Sequence, residues 1–245
     1  MKVAIVIPWF GESLSGGAER HAEGLANELK KKGKDVEILT TTGKDSFWDW
    51  GKDYYKQDTY VKNGITVRRF SLRKRNKELY DEIYGKILHG QEVSYSEELQ
   101  LHHETVNSDT LYQYIYDNKD NYKFIFMPYL YGTTYWGLKI SPSNSYLIPC
   151  LHDEQMAYLK TVKHMFQNCN GIMFNSPEEA ELAQRIYDLS RGKYIIAGEG
   201  IVSKDGCEER FRKKYNINGK YLIYVGRQVK GKNVHVLLDF FKDLY

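Results

Sequence analysis

The stretch KVAIVIPWFGESLSGGAERHAEGLANELKKKGKDVEILTT, residues 2–41, decides the fold class. Lys2–Ile7 is apolar on both faces, which is typical of a central strand in a parallel sheet. Residues 18–32 place alanine and leucine on one helical face, and Gly33 suits the end of that helix. A second strand is predicted at 35–41. This β-loop-α-β order predicts an α/β protein with a doubly wound parallel sheet.

The alternation of strands and helices continues along the chain. Further strands are predicted at 65–70, 122–127, 146–151, 171–174, 194–197 and 221–225. Helices are predicted at 78–88, 95–118, 154–168, 177–189, 205–215 and 233–245. The aromatic-rich segment 43–60 interrupts this rhythm.

Composition narrows the class of protein. The 245 residues correspond to one or two domains of ~150 residues. Apolar residues make up 42% and the net charge is +3, so we expect a packed core and no nucleic-acid partner. No apolar run is long enough to span a membrane. The N-terminus lacks the cleavage site of a signal peptide. The three cysteines lie far apart in the sequence, which favours reduced thiols. These features predict a cytoplasmic protein.

Gly16 and Gly17 precede the first predicted helix. Bare backbone N–H groups at a helix N-terminus attract anions, and glycine allows close approach. A plain strand-to-helix turn explains the same residues. The spacing is not GxGxxG, which counts against a nicotinamide-dependent oxidoreductase.

A second glycine-containing loop, VGRQVKGKN at 225–233, follows a predicted strand. Its cations Arg227 and Lys232 suit a diphosphate at the carboxyl edge of a sheet. A solvated basic loop is the alternative.

His152 follows the strand predicted at 146–151. There it could donate a hydrogen bond to a sugar or a phosphate, or cap the next helix. Trp48, Trp50 and Tyr131 could stack on a sugar acceptor, or pack in a core or an interface. No metal-ligand spacing is present among the histidines and cysteines, so we expect neither a metal nor another cofactor.

Five motifs in order carry a resemblance to a known family: GGAER at 16–20, HDE at 152–154, FNSPEEAE at 174–181, GEGI at 198–201 and VGRQVKGKN at 225–233. The chain resembles the GT-B fold, nucleotide-sugar-dependent retaining glycosyltransferases of glycosyltransferase family 4. That resemblance implies two Rossmann-like domains facing a cleft. Residues 48–118 depart from the pattern.

The resemblance assigns roles to residues. It implies an acceptor-side domain at 1–202 and the first part of a donor-binding domain at 203–245. Gly16 and Gly17 would approach the phosphates or sugar of a nucleotide-diphosphate sugar, and His152 would contact the sugar. Arg227 and Lys232 would hold the diphosphate and stabilise the leaving group.

The family's acidic E-x7-E element is not found in this chain. We therefore expect a shortened second domain, from a truncated product or an interrupted gene, and a chain inactive alone. The strand predicted at 221–225 is apolar on both faces. We expect it to pair with a neighbouring chain, which would give a homo-oligomer, or to pack on the first domain.

The favoured function is sugar transfer to a glycan or lipid-linked acceptor in cell-surface polysaccharide synthesis. The alternative is a non-catalytic acceptor-binding subunit of a glycosyltransferase complex. The cationic run between Arg68 and Lys77 has two interpretations: it contacts anionic lipid, or it is an ordinary solvated face.

Overall fold

A computed structural model describes residues 1–11, 16–189, 193–200, 205–226, 228 and 232–244. The chain divides into two compact units, Met1–Val202 and Ser203–Tyr245. The first unit, which we call unit 1, contains the sheet. The second is called unit 2.

Unit 1 is built on an eight-stranded sheet in the order β3-β4-β2-β1-β5-β6-β7-β8. The strands are β1 Lys2–Val6, β2 Val36–Thr41, β3 Thr59–Lys62, β4 Ile65–Phe70, β5 Tyr122–Phe126, β6 Ser145–Leu147, β7 Gly171–Phe174 and β8 Tyr194–Ile196. Every neighbouring pair is parallel except β3 with β4, which is antiparallel. This sheet confirms the predicted doubly wound, Rossmann-like α/β fold.

Strand β1 lies at the centre because both of its faces are apolar. Ala4 and Val6 belong to the core on one face of the sheet, and Ile5 and Ile7 belong to the core on the other. All four side chains are almost completely buried. Burial on both sides fixes β1 between β2 and β5.

Helices cover both faces of the sheet. In unit 1 they are α1 Gly17–Lys31, α2 Lys77–Leu88, α3 Tyr95–His103, α4 Asp109–Asn118, α5 Gly132–Ile140, α6 Lys160–Asn168 and α7 Pro177–Ile186. Helix α1 contributes Ala22 and Ala26 to one core. Helices α2 to α7 contribute to the core on the opposite face.

The single helix predicted at 95–118 is wrong, because the chain turns between α3 and α4. The side-chain amide of Asn107 donates to the carbonyls of His102, His103 and Thr105, which satisfies the C-terminal end of α3. Ser108 then caps α4 by accepting from the Leu111 N–H.

Other boundaries also differ from the predictions. The helix predicted at 154–168 is a 3-10 turn, Gln155–Tyr158, followed by α6. Strand β6 ends at Leu147, well short of the predicted 151. Strand β3 and helix α5 were not predicted.

Unit 2 contains helices α8, Glu208–Tyr215, and α9, Val234–Leu244. The strand predicted at 221–225 is wrong: these residues are irregular and exposed by 36–86%. A strand needs a hydrogen-bonded neighbour, and the described part of unit 2 contains no other strand. The Tyr221 ring instead stacks on Phe211 of α8 at 5.7 Å. Pairing of this segment with a second chain, or its packing on the first domain, stays a prediction.

Candidate active site

The order in which strands are added to the sheet reverses at β1. Strands β2, β3 and β4 lie on one side of β1, and β5 to β8 lie on the other side. In an open α/β sheet, ligands bind at the carboxyl ends of the strands at such a switch point. The segments that follow β1 and β5 therefore flank the expected crevice. They carry Trp9, Gly16 and Gly17 on one side and Tyr131 on the other.

Gly16 and Gly17 lie at the N-terminus of α1, as the sequence predicts for a strand-loop-helix turn. Gly16 is the N-cap and has extended backbone angles with no side-chain cap. A Cβ on Gly16 would collide with the Glu19 carboxylate, whereas no described atom lies within 4 Å of a Cβ on Gly17. The two glycines therefore have different roles: Gly16 leaves room for Glu19, and Gly17 leaves open space.

Glu19 is the most deeply buried charge at this helix end, with 6% of its surface exposed. Burial raises its pKa, while hydrogen bonds with its own backbone N–H, the Trp9 side chain and the Gly16 backbone oppose that rise. A glutamate at the third helical position that reaches back to the N-cap N–H is half of a capping box. The carboxylate thus covers the helix N-terminus.

Three aromatic rings form a wall beside this helix end, which we call the aromatic wall: Trp9, Trp50 and Tyr131. The Trp9 and Tyr131 rings meet edge to face at 4.8 Å, and Trp50 meets Tyr131 at 5.6 Å. Contact between Trp9 and Tyr131 joins the segments after β1 and β5 across the switch point. Arg75 makes a cation–π contact with Trp50, with its guanidinium carbon 4.9 Å from the centroid of the Trp50 ring.

Trp48 lies apart from the aromatic wall. Its ring packs on Tyr54 at 5.1 Å, and its indole N–H donates to the Lys52 carbonyl. The structure therefore brings together two of the three residues predicted to bind the acceptor, Trp50 and Tyr131.

The segments after β6 and β7 are tied together by Glu179. One carboxylate oxygen accepts from the Leu151 N–H at 2.6 Å and the other from the Asn175 N–H at 2.5 Å. Ser176 caps α7 by accepting from the Glu179 N–H. The motif FNSPEEAE thus fixes the sheet edge next to the switch point.

Negative charge accumulates at this edge. Burial raises the pKa of Cys150 to about 12, and Glu179, Glu199 and Glu19 add to the rise. Burial lowers the pKa of His21 on α1, against the opposing charges of Glu199 and Glu179. Three carboxylates thus act on the same part of unit 1.

His152 is exposed in the segment that follows β6. Its carbonyl accepts from the Glu154 N–H, and Glu154 in turn accepts from the hydroxyl of Tyr129 at 2.7 Å. Strand β6 neighbours β5, so His152 belongs to the same edge as Tyr131. Its contact with a ligand stays a prediction.

The predicted diphosphate residues belong to unit 2. Arg227 lies outside the described residues, as does 229–231 of the same loop. Lys232 is exposed just before α9. Their phosphate-binding role stays a prediction.

The cationic run considered for lipid contact is largely used within the protein. Five of its six cations form ion pairs with carboxylates. These pairs are Arg68–Glu37, Arg69–Asp58, Arg73–Asp109, Arg75–Asp49 and Lys77–Asp81. Arg75 packs on the aromatic wall, and Lys74 is exposed. The run is therefore not a free cationic face.

Two kinds of feature are absent from the described part of the chain. No group of three or more histidine, cysteine or carboxylate side chains there is placed to hold a metal ion. No helix there is long and apolar enough to cross a membrane.

Sequence reasoning did not single out Trp9, Glu19 or Glu179 as site residues. Glu19 lies in GGAER and Glu179 in FNSPEEAE, so those two motifs were the available signal. Trp9 lies in the loop after β1 and in none of the five motifs. The turn of the Glu19 side chain back over Gly16 depends on backbone geometry that no residue pattern states.

Comparison with known protein families finds no match, and comparison with curated proteins finds none either. Solved structures do match. Trehalose-6-phosphate synthase OtsA aligns with a TM-score of 0.53 and 13% identity over 88% of this chain and 55% of that one. Sucrose-phosphate synthase from Thermosynechococcus elongatus aligns with a TM-score of 0.51 and 10% identity over 89% and 53%. OtsA in its apo form gives 0.50 and 14% over 82% and 50%.

These structural neighbours are GT-B glycosyltransferases, and the likeness is one of fold. The chain spans about half the length of each of them. The resemblance inferred from the five motifs therefore agrees with the fold.

Proposed function

We propose that the chain belongs to a glycosyltransferase that moves a sugar from a nucleotide-diphosphate sugar to a hydroxyl acceptor. Unit 1 is then the acceptor-side domain, and unit 2 belongs to the donor side. The observation that carries the proposal is the switch point, where a Cβ on Gly17 would meet no described atom and the Trp9–Tyr131 contact joins the segments that follow β1 and β5. The GT-B fold of the structural neighbours supports it.

In the proposed reaction, the bond between the anomeric carbon and the diphosphate oxygen breaks. A bond from that carbon to the acceptor oxygen forms, and the proton of the acceptor hydroxyl passes to the departing diphosphate oxygen. Arg227 and Lys232 hold the departing diphosphate by charge, so the reaction needs no metal. His152 donates a hydrogen bond to the transferred sugar. Retention of the anomeric configuration and membership of family 4 belong to this proposal through the five motifs.

The acceptor is proposed to be a glycan or lipid-linked glycan of a cell-surface polysaccharide, used on the cytoplasmic side. Its rings stack on Trp50 and Tyr131. Aromatic faces bind the apolar faces of sugars, and these two residues lie next to the helix end where the donor is expected. Trp48, apart from them, is exposed enough to contact a longer glycan.

The test uses Gly17, because alanine there meets no described atom of the protein. Calorimetric titration of the full chain with UDP, GDP and their hexose conjugates first identifies a nucleotide sugar that binds. A Cβ at Gly17 then enters the space that the ligand uses, and Gly17→Ala should weaken binding at least about tenfold through steric overlap.

Gly24→Ala is the matched control. Gly24 lies in the middle of the same helix, and its Cβ also meets no described atom. Both substitutions add one methyl group to α1, so equal affinity of the two variants for the nucleotide sugar would contradict the proposed site.

A further inference from the structure

The contacts of the aromatic wall continue from Trp50 along helix α2. The Trp50 ring meets Tyr80 edge to face at 5.5 Å, and Tyr80 stacks on Tyr84, one helical turn further on, at 5.4 Å. Both tyrosines are partly exposed, so their rings reach the surface. With the contact between Trp50 and Tyr131, these pairs form a continuous row of rings. We call this row, which consists of Tyr131, Trp50, Tyr80 and Tyr84, the aromatic track.

Arg75 fixes the middle of the aromatic track. Its guanidinium carbon lies 4.9 Å from the centroid of the Trp50 ring and 5.4 Å from that of the Tyr80 ring. Its Nη1 donates to the Glu104 carbonyl at 3.1 Å, and its side chain is 8% exposed. A buried cation in contact with two rings favours one orientation of each. The track is therefore preorganised, which lowers the entropic cost of binding a ligand.

A carboxylate lies at the Tyr84 end of the aromatic track. Helix α2 packs against the 3-10 turn Gln155–Tyr158, and Glu154 directly precedes that turn. Burial raises the pKa of Tyr84, and the charge of Glu154 adds to the rise. The segments that carry the track and Glu154 follow the carboxyl ends of β2, β4, β5 and β6. They therefore belong to the sheet edge at which the acceptor is proposed to bind.

Glu154 is held in place but has no counter-charge among the described residues. Its Oε1 accepts a hydrogen bond of 2.7 Å from the hydroxyl of Tyr129, whose side chain is completely buried. Its carboxylate does not cap the 3-10 turn, and no described cation pairs with it, whereas the adjacent Asp153 pairs with Arg185. A partly buried carboxylate without a cation is stabilised by the hydrogen bonds that it accepts, which a ligand hydroxyl can donate.

Flat rings beside a fixed hydrogen-bond acceptor suit a neutral sugar. An aromatic ring packs on the apolar face of a sugar ring, and an ionised carboxylate accepts hydrogen bonds from the sugar hydroxyls. A uronate or a phosphate would instead bring a like charge close to Glu154. One sugar ring covers about one aromatic ring, so a row of four rings suits several linked sugars.

We propose that the Tyr84 end of the aromatic track is a second acceptor subsite, where Glu154 accepts hydrogen bonds from a neutral sugar. The first subsite is the pair Trp50 and Tyr131. This inference rests on the proposed function and narrows the acceptor to an oligosaccharide that is uncharged at the second position.

Binding is followed through the indole N–H signal of Trp50 in ¹⁵N NMR titrations of the full chain. The probes are maltohexaose, cellohexaose and mannohexaose, each compared with its disaccharide. We expect at least one hexasaccharide to bind more tightly than its disaccharide. Rows of aromatic rings also bind proline-rich peptides, so decaproline is titrated as well. The proposal is overturned if no hexasaccharide binds more tightly than its disaccharide, whether or not decaproline binds.

Tyr84→Leu keeps an apolar side chain but removes the flat ring. We expect it to lower the hexasaccharide-to-disaccharide affinity ratio at least about threefold, because one stacking contact is lost. Tyr84→Phe keeps the ring and should keep the ratio. Tyr116→Leu is the control, since it removes an exposed tyrosine from α4. Circular dichroism confirms that each variant folds, and a ratio in Tyr84→Leu no lower than in Tyr116→Leu overturns the proposal.

Glu154→Gln tests the selection of a neutral sugar independently of Tyr84. Glutamine keeps an acceptor oxygen for the Tyr129 hydroxyl but removes the charge, and Asp153→Asn removes a charge from the adjacent residue as the matched control. We expect Glu154→Gln to bind hexagalacturonate at least about threefold more tightly than Asp153→Asn, because a close like charge is lost. A gain no larger than that of Asp153→Asn overturns the proposed role of Glu154. None of these probes contains a nucleotide, so the result is independent of the donor test with Gly17→Ala.

Discussion

Replacing His102 with phenylalanine is expected to make the folded state less sensitive to acid. His102 is completely buried on α3, and its ring stacks on Tyr135 at 4.2 Å. Its Nε2 lies 3.0 Å from the Thr161 hydroxyl, while its Nδ1 is buried with no hydrogen-bond partner. This surrounding accommodates a neutral ring, whereas the Nδ1–H of an imidazolium would be buried without an acceptor.

The size of the effect follows from the shift in pKa. Burial, with a smaller contribution from Lys139, lowers the pKa of His102 to about 3, from 6.5 in an unfolded chain. Below pH 6.5 the unfolded chain therefore binds a proton that the folded chain does not, so falling pH favours unfolding down to about pH 3. At ~1.4 kcal/mol per pH unit, going from pH 7 to pH 4.5 removes about 3 kcal/mol of stability through this one group.

Urea unfolding at pH 7 and pH 4.5 measures the effect. The wild type should lose about 3 kcal/mol more than His102→Phe between the two pH values. Any fixed cost of losing the bond to Thr161 cancels in that difference. His103→Phe controls for the removal of an imidazole, because the His103 side chain is 52% exposed. Equal losses in the wild type and His102→Phe would refute the buried neutral ring.

Three further variants test the packing and helix propensity of unit 1 and the charge of unit 2. Gly137→Ala would place a Cβ 2.6 Å from the Phe126 ring, so we expect a loss of about 1–2 kcal/mol in thermal or urea unfolding. Gly85→Ala, which meets no described atom in α2, should instead stabilise by up to about 1 kcal/mol. The double variant Arg227→Ala/Lys232→Ala should lose nucleotide-diphosphate binding in calorimetry. Unchanged binding would contradict the proposed role of these two cations in holding the diphosphate.

The sheet could be predicted wherever burial leaves a clear pattern. Strand β1 is apolar on both faces and β4 alternates, so their type and position followed from the residues. The turn at Asn107 was missed because its amide replaces helical hydrogen bonds with side-chain ones, which a helical period does not reveal. Residues 221–225 have the composition of a buried strand, but composition does not supply a neighbouring strand.

The candidate site could be predicted as motifs but not as contacts. The Trp50 ring contacts Tyr131, which lies far from it in the sequence. Trp48 belongs to the same aromatic-rich segment as Trp50, but its ring packs on Tyr54 instead. The position of Glu19 depends on the absence of a side chain at Gly16. These details arise from the approach of separate segments at the sheet edge.

The most direct test of the proposed site uses the indole N–H signals of the four tryptophans in a ¹⁵N NMR titration with a bound nucleotide sugar. Trp9 contacts both Glu19 and Tyr131 at the switch point, whereas the indole nitrogen of Trp136 is buried without a hydrogen-bond partner. The proposed site predicts that the Trp9 signal shifts with ligand concentration, accompanied by Trp50, while Trp136 stays in place. A bound nucleotide sugar that leaves the Trp9 signal unmoved would contradict a donor site at the carboxyl edge of β1.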